Sequence, residues 1–153
     1  MANNKRRIRA TPENQYHMKR TATAHWKGTV KEGKGDLTTK SKTLDKQNYS
    51  FHSRFEDGDG TNPEELIAAA HAGCFTMALS AKLTEAGHTP GELKTDCAVD
   101  FQDQTIVESA LKTTARVDGI DKDEFDKIIN DAKETCPISK VLNTKITLEY
   151  TLN

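Results

Sequence analysis

Polar and apolar positions change period several times along this chain, and each change marks an element. From Thr21 to Val30, the residues Ala22, Ala24, Trp26 and Val30 alternate with polar ones, which is the period of a strand. Gly33-Lys34-Gly35 predicts a turn, and a second strand is expected over Asp36 to Ser41. Tyr49, Phe51 and Ser53 alternate again, which predicts a third strand ended by Arg54 before Asp57-Gly58-Asp59-Gly60 breaks the sheet. A long helix follows. Thr61 or Asn62 can cap it, Pro63 suits its first turn, and Glu64 and Glu65 complement the positive end of its dipole. It should end near Ala86, with Gly87 as a left-handed stop. Its centre is apolar nearly all round, which predicts burial on most sides. The small residues from Ala68 to Gly73 would let another backbone approach closely.

Two more strands are expected next. Leu93, Cys97, Val99 and Phe101 share one face of the first, and Val107, Leu111, Ala115 and Val117 share one face of the second. Asp121 with Glu124 predicts a capping box, and Phe125, Ile128, Ile129 and Ala132 form the apolar stripe of the helix it opens. Cys136 continues that stripe one turn later. Pro137 ends the helix, a short one is expected to Leu142, and Ile146, Leu148, Tyr150 and Leu152 mark a last strand. The order βββαββααβ is an α+β pattern, a single domain over residues 18–153 with the long helix packed on an antiparallel sheet. Residues 1–17 are polar and aperiodic and read as a flexible extension.

Composition narrows the picture. The formal net charge of -1 over 153 residues provides no global field for nucleic acid or membrane. The basic cluster Lys5-Arg6-Arg7-Ile8-Arg9 reads as part of a solvated tail. No run is read as a signal peptide or transmembrane segment, so a cytoplasmic location is expected. A hydrophobic content of 35% is low for a globular chain, which suggests that a second subunit completes the buried surface. Three cysteines, an odd number, argue against a secreted disulfide scaffold.

Two of those cysteines carry candidate chemistry. Cys74 lies deep in the Ala-rich helix, and Cys136 lies on the core-facing stripe of the later one, beside a proline. Two core-facing thiols on packed helices suit peroxide or disulfide chemistry, with inert packing as the alternative. Cys97 alternates with Val99 and Phe101 and reads as packing. A thiol attacks as thiolate and needs a nearby cation, for which Arg54 is the candidate. Glu64 can orient its guanidinium through a bidentate pair while also complementing the helix dipole. Glu64 and Cys74 are ten residues apart on one helix, roughly 15 Å along its axis. That separation favours a site shared between two antiparallel copies of the helix. His71 and Cys74 form an HxxC pair to which Cys136 could add a third ligand, but the spacing is a weak signal and no metal is expected.

Taken together, these segments resemble the osmotically inducible protein C / organic hydroperoxide resistance family, from about Lys19 to Leu152. The resemblance is carried by Ala24-His25-Trp26 with Gly28, by Arg54-Phe55-Glu56, and by Gly60-Thr61-Asn62-Pro63-Glu64-Glu65-Leu66-Ile67. It continues through Ala69-Ala70-His71-Ala72-Gly73-Cys74-Phe75, Gly119-Ile120-Asp121, and Cys136-Pro137 with Val141-Leu142. His71 and the arginine beside the glutamate loop are similar to the osmotically inducible branch. The resemblance implies an intertwined homodimer with two interface sites and thiol-dependent reduction of organic hydroperoxides in stress defence. It also implies Cys74 as the peroxidatic thiol, Cys136 as the resolving thiol, and Arg54 with Glu64 as the activating pair. The reductant implied is a dithiol, of lipoyl type in the hydroperoxide-resistance branch, with no metal, haem or flavin. A protein thiol–disulfide oxidoreductase and a non-enzymatic ligand-binding dimer are the rival readings.

Overall fold

The computed structural model describes residues 18–153. Its elements are β1 (Ala22–Lys27), β2 (Lys34–Thr39), β3 (Gln47–Ser50), α1 (Phe51–Phe55) and α2 (Pro63–Glu85). They continue with β4 (Pro90–Gln102), β5 (Thr105–Val117), α3 (Lys122–Thr135), α4 (Pro137–Val141) and β6 (Lys145–Leu152). The α+β class stands, with one more helix than the sequence pattern shows. Ser50 and Ser53 account for it. The Ser53 N–H donates to the Ser50 hydroxyl, and the Ser50 N–H donates to the Ser53 hydroxyl at 2.8 Å, a reciprocal cap that turns the chain into α1. Tyr49, Phe51 and Ser53 therefore do not continue a strand, and Arg54 stands on a helix rather than at a strand end. The extension expected over residues 1–17 lies outside the described residues.

The strands form two separate sheets. The first is antiparallel in the order β1-β2-β3 and has no core of its own, since every residue of β1 is exposed. Its tightest point is Gly35, which pairs with Trp26 on one side and Tyr49 on the other. A Cβ there would come within 2.5 Å of the Tyr49 ring, so only glycine lets the two aromatic rings meet at 5.3 Å.

The second sheet has the order β4-β5-β6 and carries the core. β4 and β5 are antiparallel, joined through Asp103 and Gln104, which both take positive φ. β6 runs parallel to β5, so the sheet is mixed rather than antiparallel throughout. The reason is the crossover: α3 and α4 return the chain to the end where β5 begins.

The long helix α2 packs on this sheet through His71, Phe75, Leu79 and Leu83, one buried residue every fourth position. They join Leu111, Ala115 and Val117 of β5 and Phe125, Ile129 and Ala132 of α3. The helix begins where the Glu65 N–H donates to the Asn62 side chain at 2.8 Å, and it stops at Gly87, whose φ is +89°. Burial on most sides is not reached within one chain. Ala69, Ala70, Gly73, Met77 and Ala81 face solvent, with Met77 76% exposed. By length and composition α2 could also cross a membrane, contrary to the expectation that no run has that character. In this fold one face of the helix is instead seated on the sheet. At α3 the Asp121 carboxylate accepts from the N–H groups of Asp123 and Glu124, whereas the Glu124 side chain turns to His88 at 3.1 Å. The cap forms without the reciprocal half of the expected box.

Candidate active site

Cys136 ends α3 and opens α4. Its backbone leaves the helical region there (φ -57°, ψ 124°) and Pro137 occupies the first turn of α4, so the chain bends at the sulfur. The residue is fully buried, one turn beyond Ala132 on the same stripe. Cys74 is half-buried on α2 and packs against the same core. Both thiols are free, and they share a hydrogen bond. The pairing expected from two core-facing helical positions is thus realised in space.

The two sulfurs have different surroundings. Burial pushes the Cys74 thiol up, and contact with Cys136 adds to that against a single N–H from Ile138. Burial also opposes ionisation of Cys136. There it is outweighed by the Ser139 N–H, the Cys74 thiol, the Ser139 hydroxyl and the Ile138 N–H, which together hold Cys136 below the usual thiol range. Within one chain Cys136 is therefore the more acidic thiol, and Cys74 has no cation to activate it.

Arg54 and Glu64 form a second locus. The guanidinium donates from Nη2 to Glu64 Oε1 at 2.7 Å and from Nε to both carboxylate oxygens at 3.2 Å. That bond raises the already high guanidinium pKa, so the charge is permanent. The group also lies over the rings of Phe55 and Phe101, at 5.3 Å and 5.0 Å from their centroids. Beside it is a cavity of about 460 Å³ lined by Arg54, Glu64, Ile67, Phe101, Ile106 and Leu142. Neither Cys74 nor Cys136 lines that cavity. The expected bidentate pair forms within one chain, but the fold keeps it apart from Cys74 of that chain. The helix spacing demands this, because Glu64 and Cys74 lie roughly 15 Å apart along α2.

His71 is fully buried with both ring nitrogens engaged. Nδ1 lies 2.7 Å from the Ser109 hydroxyl on β5, and Nε2 lies 2.9 Å from the Ser139 hydroxyl on α4. Burial lowers its pKa, so the imidazole is neutral. The HxxC metal arrangement does not form; among the described residues no cluster of three ligand-type side chains occurs. Cys97 packs as expected, with its sulfur 3.4 Å from the Ser109 hydroxyl. Ser109 and Ser139 escape the sequence reading. The available signals were a serine at an inward position of β5, between Val107 and Leu111, and another three residues after Cys136.

Comparison with known proteins agrees with this arrangement. The family described as OsmC-like protein matches residues 56–151. The chain is 52% identical over 133 residues to Peroxiredoxin OsmC of Escherichia coli, covering 84% of this chain and 93% of that protein. It is 34% identical over 97 residues to the Organic hydroperoxide resistance protein of Xanthomonas axonopodis pv. citri, covering 62% and 68% of the two chains. Two solved structures share the fold. One is the organic hydroperoxide resistance protein OhrB of Bacillus subtilis (TM-score 0.60, 24% identity, 86% of this chain and 98% of that one). The other is an OsmC-like protein of unknown function from Vibrio cholerae (TM-score 0.66, 15% identity, 88% and 100%). With its family match over residues 56–151 and its 52% identity to a full-length relative, the chain belongs to the OsmC-like protein family.

Proposed function

We propose that this protein reduces organic hydroperoxides to alcohols, in oxidative and osmotic stress defence, as a cytoplasmic homodimer with two shared sites. By kinship with Peroxiredoxin OsmC it is a cysteine-based peroxidase. The observation that carries the mechanism is the hydrogen bond between two free thiols, one half-buried and one fully buried. Cys74 thiolate attacks the distal peroxide oxygen, the O–O bond breaks, and Cys74 is left as a sulfenic acid. The departing alkoxide takes up a proton and leaves as alcohol. Cys136 then displaces hydroxide from the sulfenic sulfur, giving a Cys74–Cys136 disulfide and water. A dithiol, of lipoyl type, restores both thiols by exchange.

Three observations support completion of each site by the partner's Arg54 and Glu64. Cys74 lacks a cation in its own chain, the apolar face of α2 around Gly73 and Met77 is open, and β1 is exposed throughout. The partner's Arg54 would stabilise the thiolate and then the negative charge developing on the leaving oxygen. The apolar walls beside that arginine, Ile67, Phe101, Ile106 and Leu142, suit an alkyl group better than hydrogen peroxide.

The test is thiol consumption by purified protein with a lipoyl-type dithiol, comparing tert-butyl hydroperoxide with hydrogen peroxide. Faster turnover of the organic peroxide is expected, with a Cys74–Cys136 disulfide found by mass spectrometry. Dithiol oxidation that needs no peroxide would instead indicate a protein disulfide oxidoreductase, and no thiol chemistry at all a binding protein.

A further inference from the structure

One buried polar chain links all three cysteines of the protein. Cys97 Sγ lies 3.4 Å from Ser109 Oγ, and Ser109 Oγ lies 2.7 Å from His71 Nδ1. His71 Nε2 lies 2.9 Å from Ser139 Oγ, and the Ser139 hydroxyl in turn faces Cys136, which shares a hydrogen bond with Cys74. Ser109 and His71 are fully buried, so each of their hydrogen bonds must be made inside the protein.

Donor arithmetic sets the direction of this chain. Each serine has one proton, and neutral imidazole has one donor nitrogen and one acceptor nitrogen. If Ser139 donates to a Cys136 thiolate, His71 must donate to Ser139 from Nε2. Nδ1 is then the acceptor and takes the Ser109 proton, which leaves Ser109 to accept from the Cys97 S–H. Burial keeps Cys97 a thiol, so that last donor exists. The opposite tautomer draws the Ser139 proton to His71 and leaves only oxygen lone pairs facing Cys136.

We infer that His71 is a positioning residue for the resolving step: through Nε2–H it holds the Ser139 hydroxyl as a donor to the Cys136 sulfur, favouring the thiolate that attacks the Cys74 sulfenic acid. This rests on the reading of Cys136 as the resolving thiol. In the step, the Cys136–Cys74 S–S bond forms and the Cys74 S–O bond breaks. Cys136 sulfur is oxidised, Cys74 sulfur is reduced, and the proton given up by Cys136 leaves with hydroxide as water. Cys74 is the titratable group facing Cys136, and no charged side chain of the described residues acts on it. Control of its protonation therefore falls to Ser139, the N–H groups of Ile138 and Ser139, and the Cys74 thiol.

The first test uses no peroxide: alkylation of Cys136 by iodoacetamide across pH in full-length Cys74→Ser protein. Adding Ser139→Ala should move the profile about one pH unit to the alkaline side, the effect of losing one hydrogen bond to a charged group. His71→Gln keeps an N–H donor for Ser139 and should stay near the parent profile, whereas His71→Leu should shift with Ser139→Ala. The second test gives otherwise wild-type protein one equivalent of tert-butyl hydroperoxide and follows disulfide formation. Near pH 7 Ser139→Ala should be about threefold slower, because about tenfold less thiolate is partly offset by the greater nucleophilicity of a more basic sulfur. Above both pKa values it should be the faster protein, a crossover that a merely structural defect would not produce. Superimposed alkylation profiles, or a slowing by the same factor at every pH, would overturn the inference. If wild-type protein forms no Cys74–Cys136 disulfide, the functional reading fails, and the alkylation profiles still decide the role of His71.

Discussion

Arg54 grips Glu64 of its own chain, with Nη2 2.7 Å from Oε1 and Nε 3.2 Å from each carboxylate oxygen. The two side chains therefore travel together as one unit, and any shared site receives both from the same protomer. Mixing Cys74→Ser with Arg54→Ala through unfolding and refolding should regenerate one intact site per heterodimer. A random mixture would then show about one quarter of wild-type activity. Mixing Arg54→Ala with Glu64→Ala should restore nothing, since every site would still lack one member of the unit. Full activity from a monomer in sedimentation would end the shared-site proposal.

Arg54 is the cation proposed to lower the Cys74 pKa across the interface, against the burial that raises it in a single chain. Arg54→Ala should slow peroxide attack by about 100-fold, the scale of losing one preorganised charge-stabilising donor. Arg54→Lys should recover only part of this, because a point charge cannot reproduce the forked contact with Glu64. Stopped-flow rates and the alkylation pH profile of Cys74 are the measurements. Profiles unchanged in Arg54→Ala would remove the arginine from the mechanism.

The two thiols should respond differently to replacement. Cys74→Ser should show no turnover and trap no sulfenic acid with a dimedone-type probe. Cys136→Ser should consume one equivalent of peroxide, stall, and progress to sulfinic acid when peroxide is in excess. Normal turnover of Cys136→Ser with a dithiol would show that Cys136 does not resolve. Cys97→Ser should remain active, with its hydroxyl replacing the S–H donor to Ser109.

His71 makes folding sensitive to acid. Its folded pKa is depressed by burial from an ordinary value of 6.5, so below that value the unfolded chain binds the proton more readily. The contribution to stability is complete above about pH 6.5 and is lost as pH falls toward the depressed folded value. Wild-type protein should therefore lose stability between pH 7 and 5 more steeply than His71→Gln, which has no such proton to take up. Urea unfolding at fixed protein concentration measures both slopes, and parallel slopes would refute the expectation.

Phe75 is fully buried where α2 meets the sheet and α3. Phe75→Ala should cost about 3–5 kcal/mol, from lost transfer free energy and the cavity left behind. Met77→Ala, one turn along on the exposed face of α2, should cost little within the protomer but weaken self-association if that face meets a second copy. Circular dichroism and sedimentation separate the two effects.

What the sequence determined by itself was local or periodic. Alternation placed the strands, although Ser50 and Ser53 show its limit: the same polar-apolar spacing that suggests a strand also forms a helix cap. Asn62, Pro63 and Gly87 marked the ends of α2 because caps and stops depend on neighbours in the chain. Cys136 could be placed on a core-facing stripe because Phe125, Ile129 and Ala132 repeat at helical spacing. The tertiary structure decided which side chains meet. It made β6 parallel to β5, put Arg54 on α1 against Phe101, and gave His71 two serine partners 38 and 68 residues away. A hydrogen bond between residues that distant leaves no periodicity in the sequence. It exists only because α2, β5 and α4 pack so closely that a buried imidazole has no water and must find both partners in protein.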